Sequence, residues 1–324
     1  MMKAVLVHEM GEAEVLTYQD YPQPQPKAHE VLIKTSYTSV NFADIKSRQG
    51  GYGEQKLPFI PGLDAVGRVE ALGEAVKGWQ EGDRIAAYTS GGSYAEYVLA
   101  DTALSFKVPD AVSDAQAAGI GIIITAYNII AHAAHLQQGE SILIHAGAGG
   151  VGSTAIQIAK ALGAGKIYAT VGSESKKAVA LAAGADEVIN YNEADFVQVI
   201  LGQSKQGVDV ILDSIAGKLS EKGMKALAPF GRLVIYGHTA PEGAATILSD
   251  QLHKHNRAVI GYSSGGYRKS HPEVIQKAAH EAMNFLEKGV IQVMIGGEFA
   301  LADVAKAQRL VESRQSTGKV LLRP

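Results

Sequence analysis

The stretch Ser141-Ile-Leu-Ile-His-Ala-Gly-Ala-Gly-Gly-Val-Gly152 decides the fold. It opens with a short apolar run, residues 141–145, which is typical of a strand buried on both faces. Three glycines follow at the spacing Gly147-x-Gly149-x-x-Gly152, and apolar residues then recur at helical spacing as far as Gly163. A strand, a glycine turn and an amphipathic helix in this order predict the first unit of a dinucleotide-binding sheet.

The glycine turn predicts a site for a pyrophosphate group. Gly147 would form the tight turn, Gly149 would let the backbone approach the phosphates, and Gly152 would let the helix pack closely on the strand. The N–H groups at the start of the helix, with Gly150 and Val151, would bind the anion. The alternative is a structural glycine turn that holds no ligand.

Strands and helices alternate from about residue 124, and this rhythm predicts a doubly wound parallel sheet of the α/β class. Helical patterns cover residues 149–163, 173–183 and 218–227. The six predicted strands are residues 141–145, Ile167–Val171, Glu187–Asn190, Val208–Asp213, residues 231–236 and Ala258–Gly261. The sheet would form a Rossmann domain at residues 124–262.

The two ends of the chain have a different pattern. Residues 1–123 contain short strand-like segments separated by turns, which indicates a β-rich, barrel-like domain. Residues 263–324 contain helical patterns at 273–287 and 301–313 and a closing strand at 319–322. We predict that this tail returns to the first domain, so that residues 1–123 and 263–324 form one domain.

The amino-acid composition excludes several classes of function. The chain has 324 residues, no cysteine and a formal net charge of −3. The absence of cysteine excludes disulfides and thiolate metal sites, and it fits a reducing, cytoplasmic compartment. Lysine and arginine are spread along the chain, which argues against a nucleic-acid partner. The longest apolar stretch, near residues 120–130, is too short and too polar to span a bilayer, and the first ten residues do not resemble an export signal.

The end of the second predicted strand indicates which dinucleotide binds. An NAD site has an acidic residue about 20 residues after the glycine turn, but this chain has Gly172 there. A neutral residue admits a 2′-phosphate, which Ser173 and Lys176 could bind. The pattern therefore predicts NADPH. Lys177 is an alternative cation, Glu174 an alternative acid, and lysines on a solvated helix surface would give the same pattern.

Further motifs extend along the chain, and together they resemble the quinone oxidoreductase branch of the medium-chain dehydrogenase/reductase superfamily. They are Asn41-Phe-Ala-Asp44, Pro58-Phe-Ile-Pro-Gly-Leu-Asp-Ala-Val-Gly67, Gly82-Asp-Arg84, Gly184-Ala-Asp186 and Gly318-Lys-Val320. The resemblance implies a GroES-like, β-barrel-containing catalytic domain formed by both chain ends, with a Rossmann domain inserted between them. It also implies hydride transfer from NADPH.

The resemblance implies chemistry without zinc. Zinc-dependent members of the superfamily place a cysteine near the position of Asn41 and a His–Glu pair near Leu63 and Asp64, and this chain has neither. The only close histidine pairs, His132-x-x-His135 and His253-x-His255, have no carboxylate at a familiar ligand spacing. We therefore expect no metal site.

The resemblance also assigns roles to single residues. It implies that Asn41 lies near the nicotinamide ribose and the substrate and that Tyr52 donates a hydrogen bond or a proton, unless Tyr52 only packs on the barrel. Asp64 would be structural, and Asp44 and Arg48 would hold their loop in shape as an ion pair. The further cofactor contacts that we predict are Thr125, Tyr191, Ser214, Gly237, His238, Thr239 and Lys319. Tyr191 could instead be core packing, and Lys319 an exposed strand charge.

We therefore expect an NADPH-dependent enzyme that transfers a hydride to a quinone. An activated alkene, as in an enoyl or alkenal reductase, is the alternative acceptor. An alternative of another class is an NADPH-binding protein with a structural, stress or RNA-associated role. Relatives commonly pair Rossmann sheets edge to edge, and the strand Ala258–Gly261 with the glycine-rich residues 261–266 would suit such an edge. We therefore also expect a homodimer.

Overall fold

The computed structural model describes residues 1–51, 56–89, 91–240 and 243–324, and the chain divides into two compact units. One unit comprises Met1–Gly121 and His271–Pro324, and the other comprises Ile122–Ser270. The second unit ends at Ser270, eight residues beyond the domain boundary predicted at residue 262. The glycine-rich segment there continues into a helix, Ser264–Ser270, that belongs to this unit. Tyr267 of that helix stacks on Tyr262, with 5.1 Å between the ring centroids.

The described residues form fifteen strands. In chain order they are β1 (Met2–Val7), β2 (Leu16–Tyr21), β3 (Glu30–Val40), β4 (Asp64–Leu72), β5 (Arg84–Tyr88), β6 (Tyr97–Asp101), β7 (Ser105–Lys107), β8 (Ile142–Ile144), β9 (Ile167–Val171), β10 (Glu187–Asn190), β11 (Val208–Asp213), β12 (Leu227–Ile235), β13 (Ala258–Gly261), β14 (Ile295–Ala300) and β15 (Lys319–Arg323).

The described helices are mostly short. In chain order they are α1 (Phe42–Arg48), α2 (Asp114–Ala117), α3 (Ile120–Tyr127), α4 (Gly150–Ala161), α5 (Lys177–Ala182), α6 (Phe196–Gln203), α7 (Lys218–Ala226), α8 (Ser249–His253), α9 (Ser264–Ser270), α10 (Pro272–Glu287) and α11 (Val304–Glu312). Short 3-10 turns precede α5 and α11, and a π-helical segment at Asn128–Ala133 follows α3 directly.

The sheet of the first unit is built around β3. Its strand order is β14-β15-β3-β4-β5-β7, and β6 also pairs with β3. All of these pairs are antiparallel except β14 with β15. The last strand, β15, pairs with β3 through Val320 and Val40, so the C-terminal tail joins the sheet of the N-terminal residues. This pairing places Lys319 beside the end of β3.

The sheet of the second unit has six parallel strands in the order β10-β9-β8-β11-β12-β13. The predicted six-stranded Rossmann sheet is therefore confirmed. The first strand, β8, lies between β9 and β11, so the chain runs outward from the centre in both directions. In sheets of this kind ligands bind outside the carboxyl ends of the strands, at the point where the direction of winding changes.

The central strands are apolar because both of their faces are covered. Every residue of β8 and β9 is buried, and β11 has only Asp209 partly exposed. Leu143, Ile211 and Leu233 come from three different strands and pack in one cluster with α6 and α7. In the part of the chain that the structure describes, no helix is both long and apolar enough to cross a membrane.

Candidate functional site

The glycine turn of the second unit joins β8 to α4. A side chain at Gly147 would place its Cβ 2.7 Å from the Cβ of Ala169, and one at Gly152 would place it 2.2 Å from the carbonyl oxygen of Ala146. Real Cβ atoms do not approach so closely, so both positions require glycine. Gly149 is less confined, since its added Cβ would lie 3.3 Å from the same oxygen.

The start of α4 presents backbone donors. Its first helical hydrogen bond runs from the N–H of Ser153 to the carbonyl of Gly149. The N–H groups of Gly150, Val151 and Gly152 precede that bond, and such groups have no acceptor within their own helix. Together with the helix dipole they favour an anion at this end. The geometry is therefore suited to the pyrophosphate predicted from the sequence.

The structure brings several predicted residues to the same carboxyl edge of the sheet. Ser214 follows β11, and residues 237–239 follow the neighbouring strand β12. An added Cβ at Gly237 would lie 2.3 Å from the carbonyl oxygen of Ser214, and the N–H of Thr239 donates to the carbonyl of Ile215 at 3.0 Å. His238 is exposed in the same loop, and Thr125 is half-buried in α3.

Sequence reasoning missed the residue that shapes the loop after β11. The carboxylate of Asp213 is fully buried and accepts hydrogen bonds from the N–H groups of Ile215 and Ala216 at 2.8 and 3.0 Å. Its second oxygen accepts from the hydroxyl of Ser220 at 2.6 Å. An aspartate at the end of an apolar strand, followed by a small-residue turn, is the signal that could have found it.

His145 is a second residue that the sequence reasoning did not assign. It lies directly after β8, is fully buried, and shares a 2.9 Å hydrogen bond between its Nδ1 and the hydroxyl of Thr170. Burial lowers the pKa of His145 to about 4, so the ring is neutral near pH 7. Its edge-to-face contact with Phe196, at 5.1 Å, indicates a packing role beneath the glycine turn.

The residues after β9 crowd the position of Gly172. A Cβ added there would lie 2.4 Å from the hydroxyl oxygen of Tyr191, so an aspartate or glutamate would displace that ring. Tyr191 is 44% exposed, so the alternative that it is a core residue is wrong. Ser173 lies on the same loop, where its hydroxyl is 3.0 Å from that of Ser175.

The two lysines of this region differ in their surroundings. The Lys177 ammonium is 2.8 Å from the carboxylate of Glu174. Lys177, the alternative cation for the 2′-phosphate, therefore pairs with Glu174, the alternative acid for the ribose hydroxyl. Lys176 is half-buried, and burial lowers its pKa. A bound phosphate would favour the charged form of such an ammonium group.

The first unit contains a buried polar network around Asn41. The side-chain Nδ2 of Asn41 donates to Asp64 Oδ2 at 3.0 Å, and its Oδ1 accepts from the Lys319 ammonium at 2.5 Å. Lys319 and Asp64 are only 3% and 1% exposed. The alternative interpretation of Lys319 as an exposed strand charge is therefore wrong. Its predicted contact with cofactor phosphates stays a prediction.

Asp44 belongs to the same region and is also buried. Its Oδ2 accepts from the N–H of Asn41 at 2.8 Å and from the Tyr94 hydroxyl at 3.1 Å. Burial, together with the nearby Asp64 carboxylate, raises the pKa of Asp44 to about 7. Asp44 thus fixes the start of α1 and the backbone of Asn41.

The expected ion pair between Asp44 and Arg48 is wrong. Arg48 is fully buried, and its guanidinium contacts both carboxylate oxygens of Glu312 at 3.0 Å. Glu312 ends α11, which packs against α1 in the same unit. The two residues therefore stabilise α1 through different partners. Tyr52, predicted to donate a hydrogen bond or a proton, lies outside the described residues.

No group of three or more histidine, aspartate or glutamate side chains that could hold a metal ion occurs among residues 1–51, 56–89, 91–240 and 243–324. The buried Asp64 has Asn41, Ser39 and Lys319 as its neighbours, and an ammonium group cannot coordinate a cation. The negative charge of Asp64 is therefore balanced by the Lys319 ammonium of the same chain.

Two family models match the chain. Residues 27–110 match the alcohol dehydrogenase GroES-like domain, and residues 150–280 match the zinc-binding dehydrogenase family. The first range falls in the unit built around β3. The second begins at Gly150, within the glycine turn, and covers five of the six parallel strands. Fold and sequence therefore place the chain in the class of medium-chain dehydrogenases and reductases.

Comparison with individual proteins shows to which branch of this class the chain belongs. The chain is 35% identical to the quinone oxidoreductase of Mus musculus, over 99% of this chain and 98% of that one. It is similar to the structure of a Pseudomonas syringae quinone oxidoreductase, with 33% identity, full coverage of both chains and a TM-score of 0.92. The Escherichia coli quinone oxidoreductase in complex with NADPH gives 31% identity and a TM-score of 0.92, over 99% of this chain and 100% of that one. This chain belongs to the quinone oxidoreductase branch of the medium-chain dehydrogenase/reductase superfamily, and the family and fold predicted from the sequence are confirmed.

Proposed function

We propose that the chain is an NADPH-dependent oxidoreductase that transfers a hydride to a quinone. The observation that carries the proposal is the glycine turn at the carboxyl edge of the parallel sheet, where Gly147 and Gly152 have no room for a side chain. The quinone oxidoreductases to which the chain is similar, one of them in complex with NADPH, support the same activity.

When bound, NADPH supplies the hydride, and the protein supplies binding, orientation and exclusion of water. The proposed pyrophosphate contacts are the N–H groups of Gly150, Val151 and Gly152, with Gly147 and Gly149 letting the backbone approach. Ser214, Gly237, His238 and Thr239 are proposed contacts from the loops after β11 and β12. Thr125 and Asn41 are proposed contacts of the nicotinamide half, and Tyr191 of the adenine half.

The proposed preference for NADPH rests on the end of β9. Gly172 stands where an NAD site has the acid that binds the ribose 2′-hydroxyl, and a side chain there would have to displace the ring of Tyr191. Lys176 and Ser173 follow within one turn and would bind the 2′-phosphate. A desolvated ammonium group binds a phosphate more strongly than a fully hydrated one.

A quinone is a suitable hydride acceptor for this site, where the polar groups around Asn41 are side chains of the chain itself. Hydride addition to a quinone gives a stabilised phenolate, so the reaction needs no Lewis acid to polarise the acceptor. We propose Tyr52 as the donor of a hydrogen bond or a proton to that oxygen. The cysteine-free sequence offers none of the thiolates on which a zinc site of this superfamily is built.

The test is NADPH oxidation followed by absorbance at 340 nm, with 1,4-benzoquinone and, separately, an enone as acceptor. Each assay is repeated with NADH and with EDTA. Rapid turnover of the quinone with NADPH, slower turnover with NADH and no effect of EDTA are expected. Faster turnover of the enone would replace the quinone by an activated alkene. Tight NADPH binding without any turnover would contradict the proposed activity.

We further propose that the chain acts as a cytoplasmic homodimer without nucleic-acid or membrane partners. The lack of cysteine fits a reducing compartment, and the net charge of −3 does not favour binding to phosphate backbones. The edge strand β13 supports a dimer, because it pairs with β12 on one side and forms one end of the strand order of its sheet.

A further inference from the structure

The peptide group between Ile215 and Ala216 connects the loops that follow β11 and β12. Its N–H donates to Asp213 Oδ1 at 3.0 Å, and its carbonyl accepts from the N–H groups of Thr239 and Ala240 at 3.0 and 2.8 Å. The N–H and the carbonyl of a trans peptide point in opposite directions. By holding the N–H, the Asp213 carboxylate therefore directs the carbonyl toward the loop after β12.

The Asp213 carboxylate is itself held from two sides. Its Oδ1 also accepts from the N–H of Ile215 at 2.8 Å, and its Oδ2 accepts from the hydroxyl of Ser220 at 2.6 Å. Asp213 and Ser220 are both fully buried, and Ser220 belongs to α7, which packs on β11 and β12. A displaced carboxylate would leave buried donors without an acceptor, which is costly. The side chain is therefore a fixed point to which the loop after β11 is attached.

The backbone of this loop needs the attachment. Ala216 has a φ of 66°, in the left-handed region that a residue with a Cβ atom seldom adopts. Conformations of this kind persist where the surrounding contacts hold them. Without the carboxylate, we expect the turn at Ala216 to relax and to carry the Ile215 carbonyl away from Thr239 and Ala240.

Both loops contain cofactor contacts of the proposed function. Ser214 lies on the first loop, and residues 237–239 lie on the second. The loops touch at Gly237, where an added Cβ would lie 2.3 Å from the carbonyl oxygen of Ser214. A displacement of one loop therefore displaces the other.

We propose that Asp213 is a positioning residue that sets the affinity for the cofactor through the peptide group between Ile215 and Ala216. The inference rests on the proposed function, in which Ser214 and residues 237–239 contact NADPH. The buried carboxylate acts on the cofactor through the two loops. An aspartate that only stabilised the fold would change the melting temperature and leave the affinity of the folded protein unaltered.

The first experiment measures the Kd of NADPH by isothermal titration calorimetry, at a temperature well below the unfolding of each variant. Asp213→Leu has a similar shape but no acceptor, and it is expected to raise the Kd at least about 10-fold. Asp213→Asn retains an acceptor for the two loop N–H groups, and its amide can donate to Ser220. It is expected to bind NADPH within about 3-fold of the unaltered protein. Unchanged affinity in Asp213→Leu, or equal loss in both variants, would overturn the proposal.

Asp209 provides the matched control, because it lies near the other end of the same strand. Its Oδ2 accepts from the N–H and the hydroxyl of Ser141 at 2.8 and 2.7 Å. Asp209→Leu therefore also removes a carboxylate that holds a backbone N–H and a hydroxyl, but at the amino edge of the sheet. It is expected to lower the melting temperature and to keep the Kd within about 2-fold, because ligands bind at the carboxyl edge. An equal rise of the Kd in both leucine variants would mean that Asp213 is merely structural and would overturn the inference.

Hydrogen exchange followed by mass spectrometry tests the connection between the loops. In Asp213→Leu, faster exchange is expected in peptides that contain Thr239 and Ala240, although the substitution lies on the neighbouring strand. Asp209→Leu is expected to leave this exchange unchanged. Exchange at wild-type rates in a folded Asp213→Leu would contradict the proposal.

A second variant is available if Asp213→Leu does not fold. Asp213→Ala removes the acceptor without filling its space, and the same rise in Kd and in exchange is expected, so wild-type values would overturn the proposal. The Kd is measured without an acceptor substrate, so it does not depend on quinone reduction. Absence of NADPH binding by the unaltered protein would overturn the proposed function as well, whereas binding that is insensitive to position 213 would overturn this inference alone.

Discussion

Lys176 is the residue at which the choice between the two dinucleotides can be tested most directly. Its half-buried ammonium lies one turn from Gly172, the neutral residue at the position where an NAD site has an acid. Lys176→Ala is expected to weaken NADPH binding by about 1–3 kcal/mol, the range for a charge-assisted hydrogen bond, and to leave NADH binding nearly unchanged. Calorimetric titration of both cofactors measures the difference.

Lys177 is the matched control for this substitution. Its ammonium already pairs with Glu174, so Lys177→Ala is expected to change the binding free energy of either cofactor by less than about 1 kcal/mol. If Lys176→Ala weakens both cofactors equally, the 2′-phosphate contact belongs to Lys177 or to another cation.

Asp44 makes the stability of its unit depend on pH. Its pKa in the folded chain is about 7, above the ordinary value of 3.8, so the folded chain keeps a proton that the unfolded chain has released. The stabilisation is therefore complete below about pH 4 and is lost as the pH rises through about 7. Asp44→Asn, which stays neutral, is expected to reduce this loss by about 1–4 kcal/mol.

Urea unfolding at several pH values between about 5 and 8 measures this effect. Trp79, the single tryptophan, packs on the core of the unit that contains Asp44, so its fluorescence reports the unfolding of that unit. The exposed Asp110→Asn serves as control and is expected to keep the wild-type slope. An Asp44→Asn slope identical to that of the unaltered protein would contradict the assigned pKa.

At the level of residues, sequence reasoning found the groups but not their partners. The glycine spacing predicts the turn because its requirements are local and steric. Lys319 and Asn41 are 278 positions apart, and they meet only because β15 pairs with the end of β3. Arg48 and Glu312 are 264 positions apart, and they meet because α11 packs on α1. A pattern read along one chain contains no information about such distant pairs.

At the level of elements, the junction of β8 and α4 depends on close backbone approach. Gly152→Ala would place a Cβ 2.2 Å from the carbonyl oxygen of Ala146, so either α4 or the turn must move. We expect a stability loss of about 1–3 kcal/mol and weaker NADPH binding, because the N–H groups of α4 move with the helix. Thermal unfolding and calorimetric titration measure the two effects.

Gly202 provides the opposite case in the same unit. It lies in α6, and a Cβ added there would meet no atom within 4 Å. Gly202→Ala is therefore expected to stabilise the chain by about 0.5–1 kcal/mol, as for an exposed helical glycine, with NADPH binding unchanged. Similar effects of the two substitutions would show that backbone approach at Gly152 is not what the turn requires.

The elements of the parallel sheet could be predicted more closely than those of the other unit. Four strands, β9, β10, β11 and β13, have the predicted bounds. For β9 and β11 the reason is that a strand buried on both faces is a nearly continuous apolar run with turns at its ends. The strand predicted at residues 231–236 is longer, Leu227–Ile235, since it crosses a bend at Phe230 whose φ is 63°. The helix α1 was not predicted, because its start depends on the buried Asp44 rather than on an apolar period.

At the level of the whole molecule, the edge of the six-stranded sheet determines the expected assembly. The strand β13 has one hydrogen-bonding edge toward β12, and an unpaired edge is a template for pairing with another chain. A second copy of β13 related by a twofold axis would continue the sheet and satisfy both edges at once. Sedimentation velocity is therefore expected to give one species at twice the monomer mass of 34.1 kDa.

Substitution of the edge strand tests whether this surface forms the dimer. Ile260→Lys places a charge on β13, and the twofold axis would bring two such charges close together, so dissociation to the monomer is expected. Leu181→Lys, at a 51% exposed leucine of α5, introduces the same charge away from this edge and is expected to leave the dimer intact. A monomer at every concentration of the unaltered protein would contradict the dimer itself. A dimer that survives Ile260→Lys would show that another surface joins the two copies, because a like-charge pair at the centre of the proposed contact could not be accommodated without loss of affinity.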